Sequence, residues 1–230
     1  MSDTNDASPQ SPASALAGDV IAAAKADLRI TAAKTRAALA KTADVPHLEA
    51  AHAIAAHAAL IAGLAEDGVV AAYLPIRSEL SPLPLISALA RVGLVTAMPV
   101  TPLPGNPLVF HQWAPGDPLV DGPYNTLQPP IDDGTQKMVR HPVVIPRVIL
   151  APMLAFDHKC WRLGYGGGFY DRTIAGMRKA GHAVTAIGIA YDGQRVDRVP
   201  VGPFDVALDA VLTPGGLHHP DFDSADSGEV

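Results

Sequence analysis

Between Arg162 and Arg172 the chain reads Arg-Leu-Gly-Tyr-Gly-Gly-Gly-Phe-Tyr-Asp-Arg. Glycine admits positive φ and lets its N–H approach a ligand with no Cβ in the way. Four glycines in five positions, Gly164, Gly166, Gly167 and Gly168, therefore mark a turn whose successive N–H groups form a concave anion site. A strand over 147–156 precedes this turn and a helix over 171–180 follows it, so a helix N-terminus adds its own preference for anions. A polyphosphate is the natural guest, and Asp171 is placed to hold its metal ion.

Two better-known glycine loops fit less well. A phosphate-binding P-loop ends in Lys-Ser or Lys-Thr, which is absent here. A dinucleotide fingerprint needs its third glycine where Phe169 stands, and seven residues separate the strand from Gly164. Asp192 does sit where a ribose-binding acid belongs, so an NAD(P)- or flavin-binding oxidoreductase stays open as an alternative.

Along the chain, apolar positions at Leu16, Val20, Ala24, Leu28, Ala32 and Leu39 predict a helix from Ser14 to Lys41. Lys25, Arg29 and Arg36 form a basic stripe on it, which taken alone reads as a solvated face. Further helices are expected over 47–66 and 81–91, the latter with Ser81 as N-cap and Pro82 in its first turn. Strands are expected over 68–75, 94–99, 108–113, 147–156, 184–191 and 206–212, with irregular chain through the rest of 102–146. The strand–helix–strand order predicts an α/β fold: an open, mostly parallel sheet flanked by helices in three α/β/α layers. Residues 1–13 read as disordered and 215–230 as a flexible acidic tail, leaving one domain over 14–214.

The net charge of −6 disfavours nucleic acid and anionic membranes, so an anionic ligand must be held by local cations. Cys160, the single cysteine, allows no internal disulfide; it reads as a thiol tolerated beside the loop rather than a nucleophile. No leader pattern and no bilayer-length apolar stretch is visible, which places the expectation in the cytoplasm. His47, His52 and His57 recur every five residues and turn around a helix instead of sharing a face, and no Gly-x-Ser-x-Gly elbow occurs.

Other candidates lie at the ends of predicted elements. Asp205, ahead of an apolar strand, joins Asp171 as a candidate Mg2+ ligand, since magnesium takes one or two carboxylates and leaves the rest to water and phosphate. Asp209 is a second acid nearby. Glu79 lies just past a strand's C-terminal end, where open α/β sheets bind ligands, and suits an N–H-rich heterocycle. Phe110, Trp113, Tyr165, Phe169 and Tyr170 offer flat walls, each equally suited to core packing.

These residues, in this order, resemble the 5-formyltetrahydrofolate cyclo-ligase (methenyltetrahydrofolate synthetase) family across most of 25–213. The segment 155–172 carries the strongest match. Lys25-x-x-Leu28-Arg29 with Arg36 and Leu39, Tyr73-Leu74-Pro75 with Glu79, Phe110 with Trp113, Gly116, Leu119 and Gly122, and Phe204 to Asp209 add to it. It departs at Cys160, Tyr165, Gly167 and Gln128. The resemblance implies ATP as co-substrate, Mg2+ as cofactor, and conversion of 5-formyltetrahydrofolate to 5,10-methenyltetrahydrofolate with release of ADP and phosphate. By it, Lys25 and Arg29 contact ATP phosphates, and Arg162 with Gly164, Tyr165, Gly166, Gly167, Gly168, Phe169 and Tyr170 wraps the nucleotide. Residues 165–169 also face the folate, Glu79 holds the pterin and Trp113 walls it. Arg162, Tyr170 and Asp171 act in catalysis; Asp171 and Asp205 hold Mg2+. The expected partners are these small molecules, without nucleic acid or membrane, on a monomer or weak homodimer. A non-catalytic nucleotide- or folate-binding relative is the other alternative left open.

Overall fold

The computed structural model describes residues 12–41, 46–131 and 141–221. In chain order the elements begin with α1 (Pro12–Lys41), α2 (Pro46–Ala55), α3 (Ala58–Ala65), β1 (Val69–Ala71), α4 (Leu83–Arg91) and β2 (Thr96–Val100). The middle holds β3 (Val109–Gln112), β4 (Val120–Asp121), β5 (Leu127–Gln128), β6 (Val143–Val144) and β7 (Pro146–Pro152). Then come β8 (Ala155–Phe156), β9 (Arg162–Leu163), α5 (Phe169–Lys179), β10 (Thr185–Ile189), β11 (Ala210–Thr213) and β12 (Gly216–His218).

Eight strands form one sheet in the order β12-β11-β10-β7-β1-β2-β3-β6. The five from β11 to β2 are parallel; at the two edges β12 pairs antiparallel with β11, β3 with β2 and β6 with β3. Side chains alternate across a strand, so an uninterrupted apolar run must be covered on both faces. Val70, Val148, Leu150, Ile187 and Ile189 face one layer, packed with Ile54 of α2, Ile61 of α3 and Leu85, Ile86 and Leu89 of α4. Ala71, Ile149, Ala151, Ala186 and Val211 face the other, packed with Ile174 and Met177 of α5. The expected three-layer α/β/α arrangement is the one observed.

Differences from the expectation have local causes. The single helix expected over 47–66 breaks at Ala56–His57 with a 48° bend. No proline or glycine causes it; His57 N–H closes a short turn on Ile54 C=O at 3.1 Å, and the bend lets α2 reach α1 and β11 while α3 reaches β7. Pro82, not Ser81, is the N-cap of α4. The strand expected over 147–156 stops at Pro152, because the carbonyls of Met153 and Leu154 both accept from Gln194 Nε2, at 2.9 and 3.0 Å. Ala155–Phe156 pairs instead with Arg162–Leu163 in a separate hairpin. The sheet also continues past residue 214: β12 lies on β11, inside the stretch expected as a tail, while 222–230 lie outside the described residues. Among the described residues no single helix is long and apolar enough to cross a membrane.

The β8–β9 turn holds Cys160, one of the positions at which the resemblance departs. Cys160 sits at φ +57°, the left-handed region that glycine enters without cost. Buried Asp157 holds the turn: Oδ1 accepts from the N–H groups of Lys159 and Trp161 at 3.0 and 3.1 Å, and Oδ2 from Val199 N–H at 3.0 Å. Asp157→Ala leaves three N–H donors without their acceptor and is expected to cost about 3 kcal/mol, read as a lowered urea midpoint. An unchanged midpoint would show that solvent replaces these bonds freely.

Candidate active site

Helix α1 lies across the end of the sheet where the parallel strands finish. It packs on the turn 192–194 and on α2, with Leu28 and Ala32 against Leu154, Ala155, Leu163 and Val199. Three cations leave it for the site. Lys25 Nζ pairs with Asp205 Oδ2. Arg29 Nε donates to Gly164 C=O at 3.0 Å, and its guanidinium lies over Gly166. Arg36 is buried, overturning the expectation that the whole stripe is a solvated face.

The glycine loop runs from β9 into α5. Gly166 and Gly168 take φ of +103° and +64°, and Gly168 caps α5 in the left-handed conformation with no side-chain cap. A Cβ at Gly167 would stand 2.9 Å from the Phe169 ring, whereas one at Gly164 would meet nothing within 4 Å. The middle of the loop is exposed, so its backbone is accessible to a ligand.

The two acids meet at the segment 202–206. Asp171 Oδ1, in the first turn of α5, accepts from Val206 N–H at 3.1 Å and pairs with Arg162 Nη2 at 2.7 Å. Arg162 Nη1 donates to Val206 C=O at 3.0 Å. Asp205 Oδ2 also accepts from Gly202 N–H at 2.6 Å. Burial lowers the Arg162 guanidinium from its ordinary range, and Asp171 pulls it back up. Two acids and two bases thus alternate in one corner beside the loop. Hard carboxylate oxygens in that number suit Mg2+ with a polyphosphate completing the shell. Among the described residues no group of three His, Cys, Asp or Glu side chains is disposed to hold a metal alone.

On the other side of the loop, Glu79 is buried after β1. Its Oε2 accepts from Ile76 N–H at 2.9 Å, and Arg36 Nη1 stands 3.7 Å from Oε1. Burial raises the Glu79 carboxyl above its ordinary value, opposed by the Ile76 N–H and by Arg36. The Tyr165 ring lies between two guanidiniums, 5.3 Å from Arg36 and 5.9 Å from Arg77. Tyr170 lies under Arg162 at 6.0 Å, and burial together with Glu79 raises its phenol strongly.

Trp113 lies in the core, in a cluster that also takes in Tyr73 and Leu80. Its indole is buried with its N–H unpartnered, and its backbone N–H bonds Thr96 C=O at the start of β2. From the middle segment Tyr124 reaches the loop, exposed at φ +62° with its ring centroid 6.2 Å from that of Phe169. Tyr124 and Arg77 both hold positive φ without being glycine, a strain that clusters at functional sites and that a sequence reading did not reach.

Several weaker candidates are accounted for structurally. Asp192 accepts from Thr213 Oγ1 at 2.5 Å and Gly215 N–H at 3.2 Å, so it fastens the β11–β12 turn. This removes the main residue of the dinucleotide alternative. Asp209 pairs with Arg178 and accepts from Ala186 N–H, both at 2.6 Å. Burial pushes the Cys160 thiol up to about 11, which leaves little thiolate at neutral pH. Gln128 Oε1 accepts from Thr101 N–H at 3.3 Å beyond β2.

Fold and site together define an α/β protein with an exposed glycine-rich loop between two charged clusters. The model of the 5-formyltetrahydrofolate cyclo-ligase family matches residues 21–214. The 5-formyltetrahydrofolate cyclo-ligase of Escherichia coli (strain K12) is 36% identical over 148 residues, 63% of this chain and 77% of that relative. The one from Mycolicibacterium smegmatis is 33% identical over 162 residues, 67% of this chain and 78% of that relative. In fold, the chain is similar to the NMR structure of Aquifex aeolicus 5,10-methenyltetrahydrofolate synthetase, with a TM-score of 0.66 at 22% identity over 89% of this chain and 97% of that one. It is also similar to the Mycoplasma pneumoniae 5,10-methenyltetrahydrofolate synthetase, with a TM-score of 0.61 at 20% identity over 83% and 98%. The chain belongs to the 5-formyltetrahydrofolate cyclo-ligase family, and is a ligase by that membership.

Proposed function

We propose that this chain converts 5-formyltetrahydrofolate to 5,10-methenyltetrahydrofolate at the expense of ATP. The observation that carries the reading is the placement of two acid–base pairs, Lys25–Asp205 and Arg162–Asp171, on one side of the glycine loop and Glu79 on the other. One side suits a metal polyphosphate and the other a heterocycle rich in N–H donors.

An amide-like formyl oxygen is a poor leaving group. Transfer of the terminal phosphoryl group of ATP to that oxygen releases ADP. N10 of the folate then attacks the activated carbon, losing its proton, and the C–O bond breaks with phosphate as the leaving group. Such transfer depends mainly on positioning and on neutralising charge. Lys25 and Arg29 supply positive charge to the phosphates from α1, and the N–H groups of 164–168 supply more from the loop. Arg162, held in place by Val206 and Asp171, faces the transferring group. Asp171 and Asp205 would hold Mg2+, which when bound neutralises phosphate charge. Glu79 accepts N–H donors of the pterin, while Tyr165, Phe169, Tyr170 and Tyr124 shape the walls. No covalent nucleophile is needed, in keeping with the raised Cys160 thiol.

Mixing the protein with 5-formyltetrahydrofolate, ATP and Mg2+ is expected to produce the near-UV absorbance of the methenyl product, with one phosphate released per turnover. Folded protein that binds ATP and makes no such product would overturn this reading and favour a non-catalytic relative.

A further inference from the structure

Resting on that reading, we propose that Arg36 is the positioning residue of the folate half-site: from α1 it holds Glu79 and Tyr165 in the arrangement that receives the pterin. The guanidinium is 2% exposed and divides its donors among three separate segments. Nε donates to Ser78 Oγ at 3.1 Å, beside Glu79. Nη1 donates to Met153 C=O at 3.1 Å, just beyond β7, while standing 3.7 Å from Glu79 Oε1. Nη2 donates to the Tyr165 hydroxyl in the glycine loop, and that hydroxyl donates toward Glu79. A lysine carries the same charge but has no planar fork to satisfy three directions at once.

The same helix face sends Lys25 and Arg29 to the nucleotide side. Arg36 differs because every partner it has lies on the folate side or beneath it. It is too deeply buried to touch substrate and acts through Glu79 and Tyr165.

A buried carboxylate accepts N–H donors well only when ionised, and burial opposes ionisation. The groups facing Glu79 are Arg36 from α1, Arg77 from its own loop, Tyr73 from the end of β1, and Tyr165 and Tyr170 from the glycine loop and α5. Arg36 is the larger of the two cationic influences and lowers the Glu79 carboxyl. Without it, Glu79 holds its proton to higher pH. The rise of folate affinity with pH should then fall at higher pH than in wild type, a displacement that a merely structural residue would not introduce.

The test is titration calorimetry of the full chain with 5-formyltetrahydrofolate and, separately, with ATP, at several pH values. The variants are Arg36→Met, Arg36→Lys and the double change Arg36→Met with Glu79→Gln. Arg36→Met is expected to weaken folate binding by about tenfold or more, the scale of lost hydrogen bonds to a charged group, with ATP binding within about threefold of wild type. Its folate affinity should climb at higher pH than that of wild type. Arg36→Lys should restore the wild-type pH profile without restoring full affinity, and the double variant should lose the pH dependence. If Arg36→Met unfolds, Arg36→Lys against wild type still reads the split between the two ligands. Equal weakening of both ligands, or a pH profile in Arg36→Met unchanged from wild type, overturns the proposal. Wild-type protein that binds no 5-formyltetrahydrofolate overturns the function reading and this proposal with it, whereas wild-type binding that Arg36→Met leaves unchanged overturns this proposal alone.

Discussion

Asp171→Asn is expected to lower turnover by about 10³-fold while leaving the fold intact, because the lost quantity is charge and not shape. An asparagine carbonyl still accepts from Val206 N–H, so the segment carrying Asp205 keeps its anchor on α5. What disappears is one of the two carboxylates proposed for Mg2+ and the ionic partner of Arg162. Arg162 is 8% exposed, with Nη2 2.7 Å from Asp171 Oδ1 and Nη1 donating to Val206 C=O at 3.0 Å. Its direction in the site therefore rests on Asp171 together with the Nη1 bond to Val206 C=O. Loss of the acid affects the cation and the metal together, which is why the expected effect is large. Methenyl absorbance gives the turnover and a thermal melt monitors the fold. Turnover near the wild-type rate would remove Asp171 from the metal assignment. Lost turnover together with a collapsed melt would assign it to the scaffold instead.

The parts of this site readable from sequence were those in which local pattern and final role coincide. The glycines between a strand and a helix are such a case, since Gly166 and Gly168 take positive φ for reasons internal to the turn. The alternating faces of Val148, Ile149, Leu150 and Ala151 are another, because a short apolar strand has only two sides. Depth was harder to read. On a helix of 3.6 residues per turn, Arg36 falls about 20° around the axis from Lys25, and Lys34 about 180°. The angle separates exposed Lys34 from the stripe, as observed. It does not say that the far end of the stripe is covered, because the cover comes from Glu79, Met153 and Tyr165, 42 or more residues away along the chain. Trp113 and Tyr124 illustrate the same limit. Both are aromatics in a turn-rich segment, and only the antiparallel register of β3 on β2 sends the first into the core. The break between α2 and α3 is likewise set by what each half packs against, without a residue that marks it.

Lys25→Met is expected to weaken ATP binding by about tenfold to a hundredfold and, at the same time, to strengthen binding of Mn2+ alone by several-fold. These opposite signs follow from the pairing in the ligand-free chain. Lys25 Nζ and Gly202 N–H both engage Asp205 Oδ2, while Arg162 engages Asp171. Each acid proposed for the metal is thus neutralised by a cation proposed for phosphate. A free divalent ion must compete with Lys25 for Asp205, and a free nucleotide must draw Lys25 away from it. A metal nucleotide would satisfy both at once: phosphate would take the ammonium and the ion the carboxylate, leaving no charge unpaired in a partly buried corner. Binding of the two as a unit is the consequence, and a site already balanced in charge resists either component alone. Removing the ammonium frees Asp205 for an ion and deprives the phosphates of a partner. Electron paramagnetic resonance of Mn2+ without nucleotide reads the first effect, and calorimetry with ATP reads the second. Mn2+ affinity equal in wild type and variant would show that Asp205 is no ligand for the ion and serves only to position Lys25. Unchanged ATP affinity would instead take Lys25 off the phosphates and leave Arg29 and the loop N–H groups to hold them.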